Sequence, residues 1–117
     1  MTRRTDRVNG LLREEISQMV AVELRDPRLS SIVSITHVET AADLRRAKVF
    51  VSVLGSKQEK KLTLEALESA AGFLNKELRH KIHLRHIPEF IFVLDESIEK
   101  SEHIYRLIKQ GIPEGDN

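Results

Sequence analysis

Apolar residues open the chain at three- and four-residue spacing: Val8, Leu11, Leu12, Ile16, Met19, Val20 and Leu24. This spacing predicts an amphipathic helix of about six turns with one buried stripe. Arg4, Arg7, Arg13, Glu14, Glu15 and Glu23 mostly fall off the stripe. Asp26-Pro27 ends the helix, because the residue before a proline is pushed out of the helical region.

The period then changes. Residues Ile32 to Glu39 are rich in β-branched types, and Ala47, Val49, Val51 and Val53 alternate with Lys48, Phe50, Ser52 and Leu54. A two-residue period predicts strands, and Thr40 to Leu44 is short enough for an antiparallel hairpin. Ser56 with Glu59 three residues on forms a capping box that starts a second helix. Leu62, Ala66, Leu67, Ala70, Leu74, Leu78 and Ile82 continue its stripe to His83, with Gly72 in the middle. An interior glycine costs about 1 kcal/mol relative to alanine, so a kink or two-helix joint at Ala70, Ala71 and Gly72 is expected. The alternative is a glycine accommodated for close packing within one helix.

Pro88 bars further helix, and Phe90-Ile91-Phe92-Val93-Leu94 reads as a third strand, apolar on both faces and so expected inside the sheet. A weakly amphipathic helix follows from about Glu96 to Lys109. Residues 1–110 are thus expected to form a single domain and 111–117 a frayed tail. Two helices between the second and third strands make a crossover, which puts the helices on one face of a small mixed sheet.

Composition narrows the function. The 117 residues include no cysteine, which removes disulfides and thiolate zinc sites and points to a cytosolic protein. No apolar run approaches the roughly 20 residues of a membrane span. Gly-x-Ser-x-Gly, Gly-x-Gly-x-x-Gly and P-loop patterns are all missing, so no enzyme and no cofactor is indicated. His80, His83 and His86 invite a metal, but steps of three do not stack imidazoles as zinc helices do.

The net charge is only +1, yet its distribution is uneven. Arg45, Arg46, Lys48, Lys57, Lys60 and Lys61 face Glu59 alone in one stretch, and Lys76, Arg79, Lys81 and Arg85 face Glu77 alone in another. The segment after Glu89 is acidic. Lysine and arginine attract phosphate whatever the base sequence, so RNA binding is the leading hypothesis and a solvated face the competing one. The strongest candidates are Arg45, Arg46, Lys48, Lys76, Arg79, Lys81 and Arg85. Arg3, Arg4 and Arg7 rank second, because cations at a helix start oppose its dipole and so lack an obvious stabilising role there. Aromatic residues fall mostly where the core should be, which disfavours a stacking surface on the sheet. A protein-binding module acting through the acidic C-terminal helix is the runner-up, and a small metalloenzyme a distant third.

Arg7-Val8-Asn9, the run Glu23-Leu24-Arg25-Asp26-Pro27-Arg28-Leu29, the run Ala47 to Gly55, Ala70-Ala71-Gly72 and Leu84-Arg85 followed by Pro88-Glu89 resemble, in order, the signatures of ribosome-binding factor A. The resemblance spans Arg3 to Lys109. It implies an α+β, type II K homology-like fold: helix-strand-strand-helix-kink-helix-strand, with helices on one face of a three-stranded mixed sheet. Ala70-Ala71-Gly72 would replace the usual Gly-x-x-Gly loop. The family further implies a non-enzymatic factor, and a cytoplasmic monomer with no membrane association is expected beside it. Its partners would be the immature small ribosomal subunit, its rRNA and other assembly factors, and its role late rRNA processing, maturation and growth in the cold.

Overall fold

The computed structural model describes residues 3–24, 26–29 and 32–110, without the side chains of Arg3, Arg4 and Ile98. Helix α1 (Arg3–Val22) leads into strands β1 (Val33–Thr40) and β2 (Arg46–Val53), then helix α2 (Lys57–Lys81), strand β3 (Glu89–Leu94) and helix α3 (Ser97–Lys109). Arg25 of the resemblance and the expected tail at 111–117 lie outside the described residues.

The sheet order is β1-β2-β3, with β2 antiparallel to β1 and parallel to β3. Parallel neighbours need a long crossover, and α2 supplies it. Local chemistry sets where α2 starts: the Ser56 hydroxyl accepts from Glu59 N at 3.1 Å, while the Glu59 carboxylate accepts from Ser56 N at 3.2 Å. Both bonds of the capping box are therefore present.

One face of the sheet carries the core. Ala47, Val49, Val51 and Val53 of β2 are buried along with Ile35, Val38, Phe90 and Phe92 of its neighbours. The α1 stripe of Val8, Leu12, Ile16, Met19 and Val20 covers this face beside β1, and Leu67, Leu74 and Leu78 of α2 cover it beside β3. Asp26 to Leu29 pins the connection after α1: Arg28 Nη2 lies 2.7 Å from the Asp26 carboxylate, and Leu29 N donates to Asp26 O at 3.0 Å. This signature run is structural.

Three expectations need correction. β3 lies at the sheet edge rather than inside it, because β2 takes the centre. Its second apolar face is not covered: Ile91 is 42% exposed, while Phe92 is 5% exposed. The two-helix joint allowed for at Gly72 is absent, because α2 is one helix from Lys57 to Lys81. Gly72 has no positive φ, and an added Cβ there would meet nothing within 4 Å, so neither a left-handed backbone nor close packing explains it. Finally, most of the aromatics do not fall in the core, where only Phe90 and Phe92 are buried and Tyr105 is exposed. Phe73 is 45% exposed, and Phe50 stacks on His37 at 4.1 Å on the open face of the sheet.

A bulge in β1 prepares that open face. Ile35 pairs with Val51 and His37 with Phe50, leaving Thr36 as the extra residue. The Thr36 hydroxyl donates to Asp95 Oδ2 at 2.6 Å, and Asp95 Oδ1 accepts from Ser97 N at 3.0 Å. Bonds from Ser97 and Thr36 hold the Asp95 carboxyl at about 2, well below its ordinary value. Asp95 thereby ties the start of α3 to β1. Lys60 Nζ adds a second tie from α2, 2.8 Å from Glu99.

Candidate nucleic-acid interface

Strand register collects distant parts of the chain at one end of the molecule. The β1–β2 turn lies beside the start of β3, since Arg46 is in register with Glu89 and Glu89 N donates to Arg45 O at 2.9 Å. Thr40 N donates to Asn9 Oδ1 at 2.8 Å, which brings the first half of α1 to the same place. The last turns of α2 lead into β3, and Asn75 Nδ2 donates to Pro88 O at 2.9 Å, closing that connection against the helix.

A groove of about 840 Å³ runs between α2 and the start of β3. Ala71, Gly72, Asn75, Lys76 and Arg79 form its helical wall, while Arg45, His86, Ile87 and Phe90 face them. Glu68 and Glu89 also line it, so the three cations Arg45, Lys76 and Arg79 share the groove with two carboxylates. At Gly72 the wall is bare backbone, which lets a ligand approach closely.

The sequence candidates divide on this geometry. Arg45, Lys76 and Arg79 share the groove, and Arg85 lines the cavity next to it with Arg45. Arg7 is exposed on α1 next to Val8, which lines that second cavity. Arg46 and Lys48 are exposed on β2 and alternate with the buried Ala47 and Val49, so they point to the open sheet face. Lys81 leaves the cluster: its Nζ lies 2.8 Å from Glu23 Oε1, and that bond raises its pKa. It joins α2 to the end of α1. Arg3 and Arg4 belong to α1, with side chains outside the described residues. Ala70 is half-buried and packs against the core, leaving Ala71 and Gly72 as the groove's share of that triplet.

Asn75 and His86 were missed as groove residues. Asn75 was legible, since Glu68, Ala71, Gly72, Asn75, Lys76 and Arg79 repeat at three- and four-residue spacing on one helix face. His86 was not, because its place depends on how the loop after α2 folds back. Among the described residues His80, His83 and His86 do not gather into a metal-binding group. The last-turn cations Arg79 and Lys81 also complement the negative end of the α2 dipole, a stabilising role that Lys76 does not share.

The family model for ribosome-binding factor A matches residues 4–108, nearly the whole described chain. The chain belongs to the ribosome-binding factor A family. A ribosome-binding factor A of Dictyoglomus thermophilum is 46% identical over 110 residues, covering 94% of this chain and 92% of the relative. That of Thermomicrobium roseum is 50% identical over 107 residues, covering 92% and 82%. The crystal structure of ribosome-binding factor A from Thermus thermophilus matches with a TM-score of 0.71 over 80% of this chain and 97% of that one, at 20% identity. A Thermus thermophilus ribosome-binding factor A homology model, fitted into a cryo-EM map of a 30S complex, matches with a TM-score of 0.62 over 75% and 91%, at 22% identity. Helices on one face of a three-stranded mixed sheet are thus shared with the solved structures of the ribosome-binding factor A family, and this is the K homology-like arrangement expected from the sequence.

Proposed function

We propose that this chain is a non-enzymatic assembly factor of the cytoplasm that binds the immature small ribosomal subunit by clamping rRNA phosphates in the α2–β3 groove. The observation that carries this reading is the convergence of Arg45 of the β1–β2 turn with Lys76 and Arg79 of α2 on one groove with an unobstructed glycine wall. Phosphate contacts fix position and orientation, and cations fixed on a helix and a tight turn give them a defined geometry. Membership of the family and the small-subunit complex of the Thermus thermophilus relative point to the same partner. Arg7, Arg46, Lys48 and Arg85 surround the groove as further phosphate contacts, and Arg3 and Arg4 extend that set along α1. The factor acts as a monomer alongside other assembly factors and supports late rRNA processing, maturation and growth in the cold.

Titration of the full chain against purified immature small subunits over a salt series tests this. Each phosphate contact contributes roughly 0.7 to 0.9 to the slope of log affinity against log salt, so Arg45, Lys76 and Arg79 together set a minimum of about 2. Binding that ignores salt would contradict the reading.

A further inference from the structure

A smaller cavity of about 360 Å³ adjoins the groove and shares Arg45 and His86 with it. It is built from three separate parts of the chain. Val8 of α1, Leu44 of the hairpin turn, and Leu84 and Pro88 of the α2–β3 connection give it apolar walls. Arg45, Arg85 and Asp43 place charge around them. An apolar interior with a few charged groups is the composition of a ligand site, and this volume lies near the lower end of the roughly 300–1,000 Å³ such sites span.

Leu44 is the second observation. It is the single non-glycine residue with positive φ among the described residues, at 61°. The turn is well bonded: Leu44 N donates to Ala41 O and Ala41 N to Arg46 O, each at 2.8 Å. A position of this kind in a hairpin loop suits glycine or asparagine, and a branched apolar side chain there is strained. Such strain persists where surroundings over-determine it, and it gathers at ligand clamps. Here the strained residue supplies a cavity wall.

We propose that this cavity takes one unpaired nucleotide of the RNA whose phosphates follow the groove, an inference that rests on the RNA-binding reading. The base lies against Leu44, Leu84 and Pro88, and its phosphate sits between Arg45 and Arg85. Proteins read RNA sequence mainly through unstacked bases splayed into pockets of this sort. Asp43 ranks the bases. Its Oδ1 accepts from Arg45 N at 3.0 Å, which fixes the carboxylate, and the carboxylate accepts from the base edge. Guanine ranks first, because it alone offers a carboxylate two adjacent donors on its Watson–Crick edge.

The test is a methyl-resolved NMR titration of the full chain with GMP, AMP, CMP, UMP and inorganic phosphate, repeated on Leu44→Gly. Glycine accepts positive φ, so this variant relaxes the turn while removing the wall. GMP should shift the methyls of Val8, Leu44 and Leu84 saturably and bind at least threefold tighter than UMP. Inorganic phosphate should shift the Nε–Hε signals of Arg45 and Arg85, followed in parallel on nitrogen-labelled protein, and leave those methyls in place. Leu44→Gly should melt no lower than the parent yet bind GMP at least tenfold more weakly. Equal methyl responses to GMP and phosphate, no saturable response, or parental GMP binding by Leu44→Gly would overturn the proposal. The two readings fail separately: salt-dependent subunit binding without a nucleotide response removes the cavity proposal alone, whereas loss of subunit binding removes the groove reading beneath it.

Discussion

Replacing Gly72 with alanine separates stability from binding at one position. Gly72 sits inside a continuous helix without positive φ, and the added methyl meets no atom within 4 Å. No cost of crowding or backbone strain therefore offsets the helix propensity of alanine. The expected gain is about 0.5 to 1 kcal/mol. For a domain of this size that is a rise in melting temperature of about 2 to 6 °C. The same methyl projects into the groove, where it blocks close approach of an RNA backbone. Gly72→Ala should therefore melt higher and bind immature subunits more weakly, read by calorimetry and by titration at fixed salt. A variant less stable than the parent would mean the backbone at Gly72 is not ordinary helix, and the reasoning would fail. A more stable variant with parental affinity would remove the bare backbone from the binding account.

The remaining predictions test single placements. Lys76→Glu with Arg79→Glu should lower the salt slope of subunit binding by roughly 1.4 to 1.8, whereas Lys81→Glu, which breaks the bond to Glu23, should lower the melting temperature and leave the slope unchanged. Equal slope losses in both would refute the division of that cluster. Phe92→Ala should cost about 3 to 5 kcal/mol in urea unfolding, and Ile91→Ala on the uncovered face far less; similar losses would contradict the open second face of β3. Asp95→Asn removes a carboxylate whose folded pKa is depressed to about 2, so the stability it contributes is present above its ordinary value near 3.8 and is lost as pH falls toward 2. The gap in urea midpoint between parent and variant should be constant near neutrality and close across that window; a gap that persists at the bottom of it would contradict the Thr36–Asp95–Ser97 arrangement.

Features set by local chemistry were legible in the sequence. The capping box at Ser56 and Glu59, the α1 stripe and the alternation of β2 each depend on residues within a few positions of one another, and all three stand in the structure. Strand order is different in kind. The apolar residues Ile91 and Val93 suggested a second covered face, but whether anything covers it depends on where the helices pack, and α1 and α2 both cover the opposite face. Gly72 was ambiguous for a related reason: an interior glycine signals that a helix tolerates a cost, not whether the cause is a bend, a tight contact or a ligand. The basic cluster was partly readable. Residues 79 and 81 lie about 200° apart around a helix at roughly 100° per residue, so their separation into a groove cation and a partner of Glu23 was available from spacing alone. Arg45, Arg85 and His86 meet only through the hairpin register and the loop before β3.

The central claim is that this chain binds the immature small subunit through the groove, and co-sedimentation from a cell lysate tests it most directly. Lysate resolved on a sucrose gradient at low salt should show the chain migrating with small-subunit precursors, and the Lys76→Glu, Arg79→Glu variant, folded as judged by its melt, should remain at the top of the gradient. A parent chain that migrates with no small-subunit species, or a folded variant that migrates as the parent does, would contradict the account.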